Sequence, residues 1–260
     1  MTVSKPLIVL STDTLPGYGL DHIFDIAKSH GFDGVDLAMR KNFDGRNVKY
    51  VKKLIAQYKL PVHIIQTSQE VTAKEVQQAL ILAQEVGAKV LSCNAPWYFN
   101  IKSYKLISDW FTDWKKQFPD IKFSIITPDA SSMTLLPVFP KNRFSSIVEI
   151  IKKYQANVGL DTSCISEDAR DSIILRKLEN ILPYVSAIYL SDKSAAGKDH
   201  LPLWEGILPI NTFLQQLAKF EYQGFFSLKL FLPKKDLADL DKISVILKKS
   251  LTYINEHFQA

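Results

Sequence analysis

One phrase recurs along the chain: a helix end, a glycine, then a short apolar run. It reads "HGFDGVDL" from His30, "VGAKVLSC" from Val86 and "YQGFFSLKL" from Tyr222. Glycine ends a helix by taking a left-handed conformation that other residues resist. The apolar run after it is too short for a helix and reads as a strand buried on both faces. Each phrase is therefore the return half of a strand–helix unit. Candidate strands lie at Leu7–Ser11, Gly34–Ala38, Val62–Gln66, Lys89–Cys93, Lys122–Ile126, Asn157–Asp161, Ala187–Leu190 and Phe225–Leu230.

Amphipathic helices fill the gaps. "TAKEVQQALILAQEVG" opens with Thr72 and Glu75 in capping-box spacing, carries Val76, Ala79, Leu80 and Ala83 on one stripe, and stops at Gly87. "SEDARDSIILRKLENIL" begins at Ser166 with two acids in its first turn. "NTFLQQLAKF" places Phe213, Leu214, Leu217 and Phe220 on one face. Eight such units in 260 residues predict an α/β fold, the (β/α)8 TIM barrel, as a single domain over residues 1–260. A doubly wound sheet is the runner-up, but "STDTLPGYGL" lacks the dinucleotide fingerprint such a sheet carries after its first strand.

The bulk numbers narrow the function. With 47% hydrophobic residues the chain can bury a large core, and its net charge of +5 comes largely as paired lysines on helix faces. No interleaved basic and aromatic patch points to nucleic acid, and no apolar run approaches a membrane span. "MTVSKPLIVLS" is too short for a signal peptide, which gives a cytoplasmic expectation. Cys93 and Cys164 form neither a disulfide framework nor a zinc spacing. The oligomeric state is left open, a homo-oligomer included.

In such a barrel, chemistry sits at the C-terminal ends of the strands. Those ends offer Ser11 and Asp13, Asp36, Gln66 and Thr67, then Asn94 followed by Trp97. Next come Thr127 near Asp129, Asp161 with Cys164, Tyr189 with Asp192, and Lys229. A hydroxylated ligand would find donors and acceptors there, and Trp97 and Trp204 offer apolar faces to a sugar ring. The segment "TPDASSMTLLPVFPKNR" is a candidate lid.

"HGFDGVDL", "NVGLDTSC", "IYLSDKS", "KDHLPLWEGILPI" and "GFFSLKL", in that order, resemble the sugar-phosphate isomerase/epimerase family of xylose-isomerase-like TIM barrels. The resemblance implies a small carbohydrate, a sugar or sugar phosphate, as ligand and proton transfer beside a carbonyl as reaction. It also implies a divalent metal such as manganese or magnesium, held by glutamate, aspartate, histidine and glutamate from strands five to eight. Only Asp161 matches that set. Ile126 or Thr127, Tyr189 and Lys229 stand at the other three positions, while His200 and Glu205 match the family's loop after strand seven. An ammonium ligates no metal, so the expectation is no cofactor. Lys229 is then expected to replace the ion and pair with Asp161. Asp161, Lys229, His200 and Glu205 are the candidate catalytic residues. Asp36, Asn94, Trp97, Thr127, Cys164, Tyr189, Asp192 and Trp204 are the candidate substrate contacts. Whether the chain catalyses stays open, the alternative being a metal-free pseudoenzyme that binds carbohydrate. A Schiff base on Lys229 would need a lowered pKa, which a neighbouring carboxylate opposes.

Overall fold

The computed structural model describes residues 5–39, 43–67, 72–94, 113–127, 156–164 and 178–259. Eight parallel strands close on themselves in chain order, each paired with the next and the last with the first. They are β1 (Leu7–Ser11), β2 (Gly34–Ala38), β3 (Val62–Gln66), β4 (Val90–Asn94), β5 (Lys122–Ile126), β6 (Asn157–Asp161), β7 (Val185–Leu190) and β8 (Phe225–Leu228). Helices named here are α1 (Leu20–His30), α2 (Val48–Tyr58), α3 (Ala73–Val86), α4 (Ile210–Lys219), α5 (Lys234–Leu237) and α6 (Leu240–His257). This is the TIM barrel that the repeating phrase predicts.

The local signals act as expected. The Glu75 N–H donates to the Thr72 hydroxyl at 3.3 Å and opens α3, and Gly87 ends it at φ 73°. Val76, Ala79, Leu80 and Ala83 are buried, as are Phe213, Leu214 and Leu217 on α4. Boundaries shift modestly. β4 starts one residue later than expected and takes in Asn94, and β7 starts two earlier. β8 ends at Leu228, so Lys229 lies just past it, because the Leu230 N–H is taken by the Thr14 hydroxyl at 3.1 Å. Trp97, Asp129, the start of the helix at Ser166 and all of the candidate lid after Thr127 lie outside the described residues. Among the described residues no helix is long and apolar enough to cross a membrane.

Period-two alternation sorts the side chains. One large apolar cluster fills the space between strands and helices. A smaller cluster of Val9, Ile64, Val90, Ile126, Ala187 and Tyr189 fills the barrel interior. Two residues further along their strands stand Ser11, Gln66 and Ser92, so the interior turns polar towards the C-terminal end.

That end is stitched by threonine hydroxyls. Thr12 accepts from the Ala38 N–H at 2.9 Å, and Thr14 donates to the Leu228 carbonyl at 3.1 Å. Thr127 accepts from the Asp161 N–H at 2.9 Å, and Thr162 accepts from the Ser191 N–H at 3.0 Å. Each closes a backbone group where the ladder stops and a loop begins.

Gly159 makes room for the interior. A Cβ there would lie 2.8 Å from Tyr189 Cε2, 3.2 Å from Ser124 Oγ and 3.3 Å from Ile126 Cγ1. Gly159→Ala is expected to destabilise the fold by about 1–3 kcal/mol, the usual cost of overpacking. Tyr189→Leu in the same chain should recover part of that loss. Urea denaturation of the two single variants and the double variant tests the coupling.

Candidate functional site

Asp161 ends β6 and is 2% exposed, so its charge must be met inside the protein. His200 meets it, with Nε2 at 3.1 Å from Asp161 Oδ2. Ser163, two residues on, donates to Asp161 Oδ1 from its backbone N–H at 3.1 Å and from its hydroxyl at 2.8 Å. Burial opposes the carboxylate's charge, but the imidazolium and these hydrogen bonds prevail and hold Asp161 well below the usual carboxylate range. Burial likewise opposes charge on His200. Asp161 outweighs it, aided by Asp199 at 3.6 Å, and His200 is raised to about 9. The imidazole also stacks on Phe231 with ring centroids 4.1 Å apart.

The loop after β7 exists to deliver that imidazole. Asp192 and Leu201 exchange backbone hydrogen bonds at 2.8 and 2.9 Å. The Asp192 carboxylate accepts from the N–H groups of Lys193, Gly206 and Leu208 at 2.7–3.0 Å. A Cβ at Gly206 would come within 2.3 Å of that carboxylate, so only glycine fits. His200 itself adopts φ 54°, and its carbonyl accepts from the Phe231 N–H at 2.7 Å.

Lys229 forms a second centre. Its ammonium lies 3.8 Å from Asp13 Oδ2, 3.4 Å from Gln66 Oε1 and 5.4 Å from the centroid of the Tyr189 ring. Beneath it Asp36 is fully buried on β2, and its Oδ2 accepts from Gln66 Nε2 and, at 2.6 Å, from the Ser227 hydroxyl. Burial is the main cause of its shift, offset by Ser227 and Lys229 and reinforced by Asp13, and the carboxyl is pushed up to about 7.

The sequence expectations are partly redrawn. The direct partner of Asp161 is His200, not Lys229, because the pinned loop carries a residue 39 positions away over the end of β6. The Lys229 charge still reaches Asp161 and lowers its pKa further. Asp192 and Thr127 were expected to touch substrate, but their oxygens hold backbone N–H groups instead. Tyr189 is fully buried and donates to Ser92 Oγ at 2.7 Å inside the barrel. Trp204 packs against the core with the Lys249 ammonium 4.0 Å over its ring. Glu205 is exposed on the loop after β7. Asn94 and Cys164 are partly buried at the ends of β4 and of the turn Thr162–Cys164, and Asp36 lies under Lys229. Trp97 is outside the described residues. Gln66 and Asp13, named at the strand ends but given no role, belong to the site, as do Ser163 and Phe231, which the sequence expectations do not name. The "DTS" of strand six was a usable signal, since an aspartate two residues before a serine favours this turn.

The family's metal positions do not fit a divalent ion. Ile126 is in the apolar interior, Thr127 caps Asp161, Tyr189 is bonded to Ser92, and Lys229 brings a positive charge. Asp161 alone offers an anionic oxygen, and His200 and Ser163 engage it. Among the described residues no group of three or more His, Cys, Asp or Glu is arranged to hold a metal ion.

A family model described as a xylose isomerase-like TIM barrel matches residues 24–245. The chain belongs to that family. No curated protein matches its sequence significantly. Among solved structures it is similar to a xylose isomerase domain containing protein from Salmonella typhimurium LT2, at 18% identity and TM-score 0.71, covering 99% of each chain. It is also similar to 3-keto-D-glucoside 4-epimerase from E. coli, at 15% identity and TM-score 0.70, over 97% of this chain and 100% of that one. IolI protein with a bound zinc atom matches at 14% identity and TM-score 0.74, over 98% and 100%. At these identities the likeness is one of fold.

The pair at the mouth makes stability depend on pH. His200 has its pKa raised from 6.5 to about 9. Its contribution is therefore present in full below pH 6.5 and lost as pH rises through about 9, on the order of 3 kcal/mol. His200→Gln is expected to remove this alkaline slope. Denaturant midpoints measured from pH 6 to 10 for both proteins test it.

Proposed function

We propose that the barrel mouth binds a small sugar or sugar phosphate, with the Lys229 ammonium contacting the carbonyl oxygen and no metal required. The observation that carries this is the coordination of Lys229. An ammonium has three donors, and among the described residues its acceptors stand at 3.4 and 3.8 Å, longer than a good charged hydrogen bond. The residue is 8% exposed at the end of a barrel where substrates enter. A carbonyl or hydroxyl oxygen arriving there would improve its coordination.

The reaction class that suits this site is proton transfer beside a carbonyl, an isomerisation or epimerisation. A fixed cation at the carbonyl oxygen stabilises the enolate that such a step forms. The E. coli neighbour is a ketosugar epimerase by name, which agrees with this class. His200 and Asp161 would shape the polar wall, since each already engages the other. A second reading, a carbohydrate binder without turnover, is favoured by one observation. Ile126 or Thr127, and Lys229, stand where the family implies two carboxylates that carry protons.

Chelator-treated protein is to be screened against aldoses, ketoses and their phosphates by thermal shift. Binders are then incubated with the protein in D2O and followed by NMR for exchange of the hydrogen beside the carbonyl. Binding with exchange is expected for an isomerase or epimerase, and binding without exchange for the second reading. Lys229→Met should weaken binding at least tenfold, and because it also removes the cation beside Asp13, binding is compared at a temperature where the variant is folded. The proposal fails if no member of the panel binds, or if Lys229→Met binds as well as the natural chain.

A further inference from the structure

We infer that Asp36 and Gln66 form a positioning relay that aims the Lys229 ammonium at the barrel mouth. The relay deepens the ligand role proposed for Lys229 above and rests on it for its use.

The geometry lies in the two ends of the Gln66 amide. Its Nε2 donates to Asp36 Oδ2, and its Oε1 accepts from Lys229 Nζ at 3.4 Å. Turned over, the amide would set its oxygen against a carboxylate and its NH2 against an ammonium. Both contacts would repel, so the charges at the two ends select one orientation. Ser227 holds the carboxylate from the far side, donating to the same oxygen at 2.6 Å. The chain of contacts thus runs from β8 through β2 and β3 back to Lys229, just past the end of β8.

The relay is strong only while Asp36 is ionised. Among the described residues its Oδ1 is buried with no hydrogen-bond partner, so the charge is poorly compensated. The charged and titratable groups facing it among those residues are Lys229, Asp13 after β1, and Tyr189 on β7. Lys229 favours the ionised form, and Asp13 and burial oppose it. Tyr189 stays protonated, its pKa held well above the ordinary value by burial. His63, the one titratable residue of β3, lies at the opposite end of the barrel beside Gly34 and Phe225. With the carboxyl at about 7, ordinary changes of pH around neutrality load and unload it. A neutral Asp36 holds the Gln66 amide less firmly, and the Gln66 oxygen is no longer fixed toward Lys229 while Asp13 stays beside it.

Asp36 and Gln66 are positioning residues, so the readout is taken on Lys229. The full chain, labelled with 15N-lysine and without sugar, is followed by NMR from pH 5 to 10, with the Lys229 Nζ resonance assigned by Lys229→Arg. The expected profile has a step near pH 7, and a second near pH 9 that His200→Gln removes. Asp36→Asn is neutral at every pH, so the resonance should sit at its pH 5 position through neutrality, with no step near 7. In Gln66→Leu the resonance should move away from its position in the natural chain, while the Asp36 carboxyl carbon still titrates. Gln66→Met, nearer in shape, serves if the leucine variant fails to fold. The relay is overturned if the step near 7 survives Asp36→Asn, or if cutting Gln66 leaves the Lys229 resonance in place. No sugar takes part, so failure of the carbohydrate screen and failure of the relay are read separately.

Discussion

A carboxylate buried at the end of a core strand demands a cation, and the barrel mouth is arranged around that demand. Removing one partner of a buried ion pair costs about 3–5 kcal/mol. Holding a non-glycine residue in a left-handed conformation costs about 1–2 kcal/mol. His200 adopts that conformation at φ 54°, and the comparison shows why the strain is tolerated. The imidazole reaches Asp161 only because the loop bends sharply there. Asp192 and Gly206 brace the bend, and Phe231, three residues past the end of β8, closes it.

The mouth therefore holds two charge centres with different characters. At Asp161 and His200 the partners are direct, and each pushes the other deeper into its charged form. At Asp36 and Lys229 an amide stands between the charges, and burial leaves the acid near its point of neutrality. The first is a rigid fixture. The second has room to respond to what enters the barrel.

The architecture was legible in the sequence because strands buried on both faces leave uninterrupted apolar runs, and glycines such as Gly31 and Gly87 mark the helix ends with φ values few other residues accept. Asp161 and Lys229 were placed correctly at strand ends for the same reason. Their partners were not legible. Pairing depends on loop geometry, and the bond between Asp161 and His200 spans 39 residues. Asp192 and Thr127 show a second limit. A polar side chain at a strand end looks the same in sequence whether it faces a ligand or the backbone of the next loop.

The threonine stitches at Thr12, Thr14, Thr127 and Thr162 carry a consequence for how such a barrel changes over time. Each fastens the point where a strand gives way to a loop, using a side chain that takes no part in either charge centre. The frame is thus locked just below the layer where chemistry is placed. Residues above that lock are free to drift, lose one set of ligands and acquire another while the barrel stays shut. A lysine standing where the family resemblance implies a carboxylate is what such freedom would leave behind.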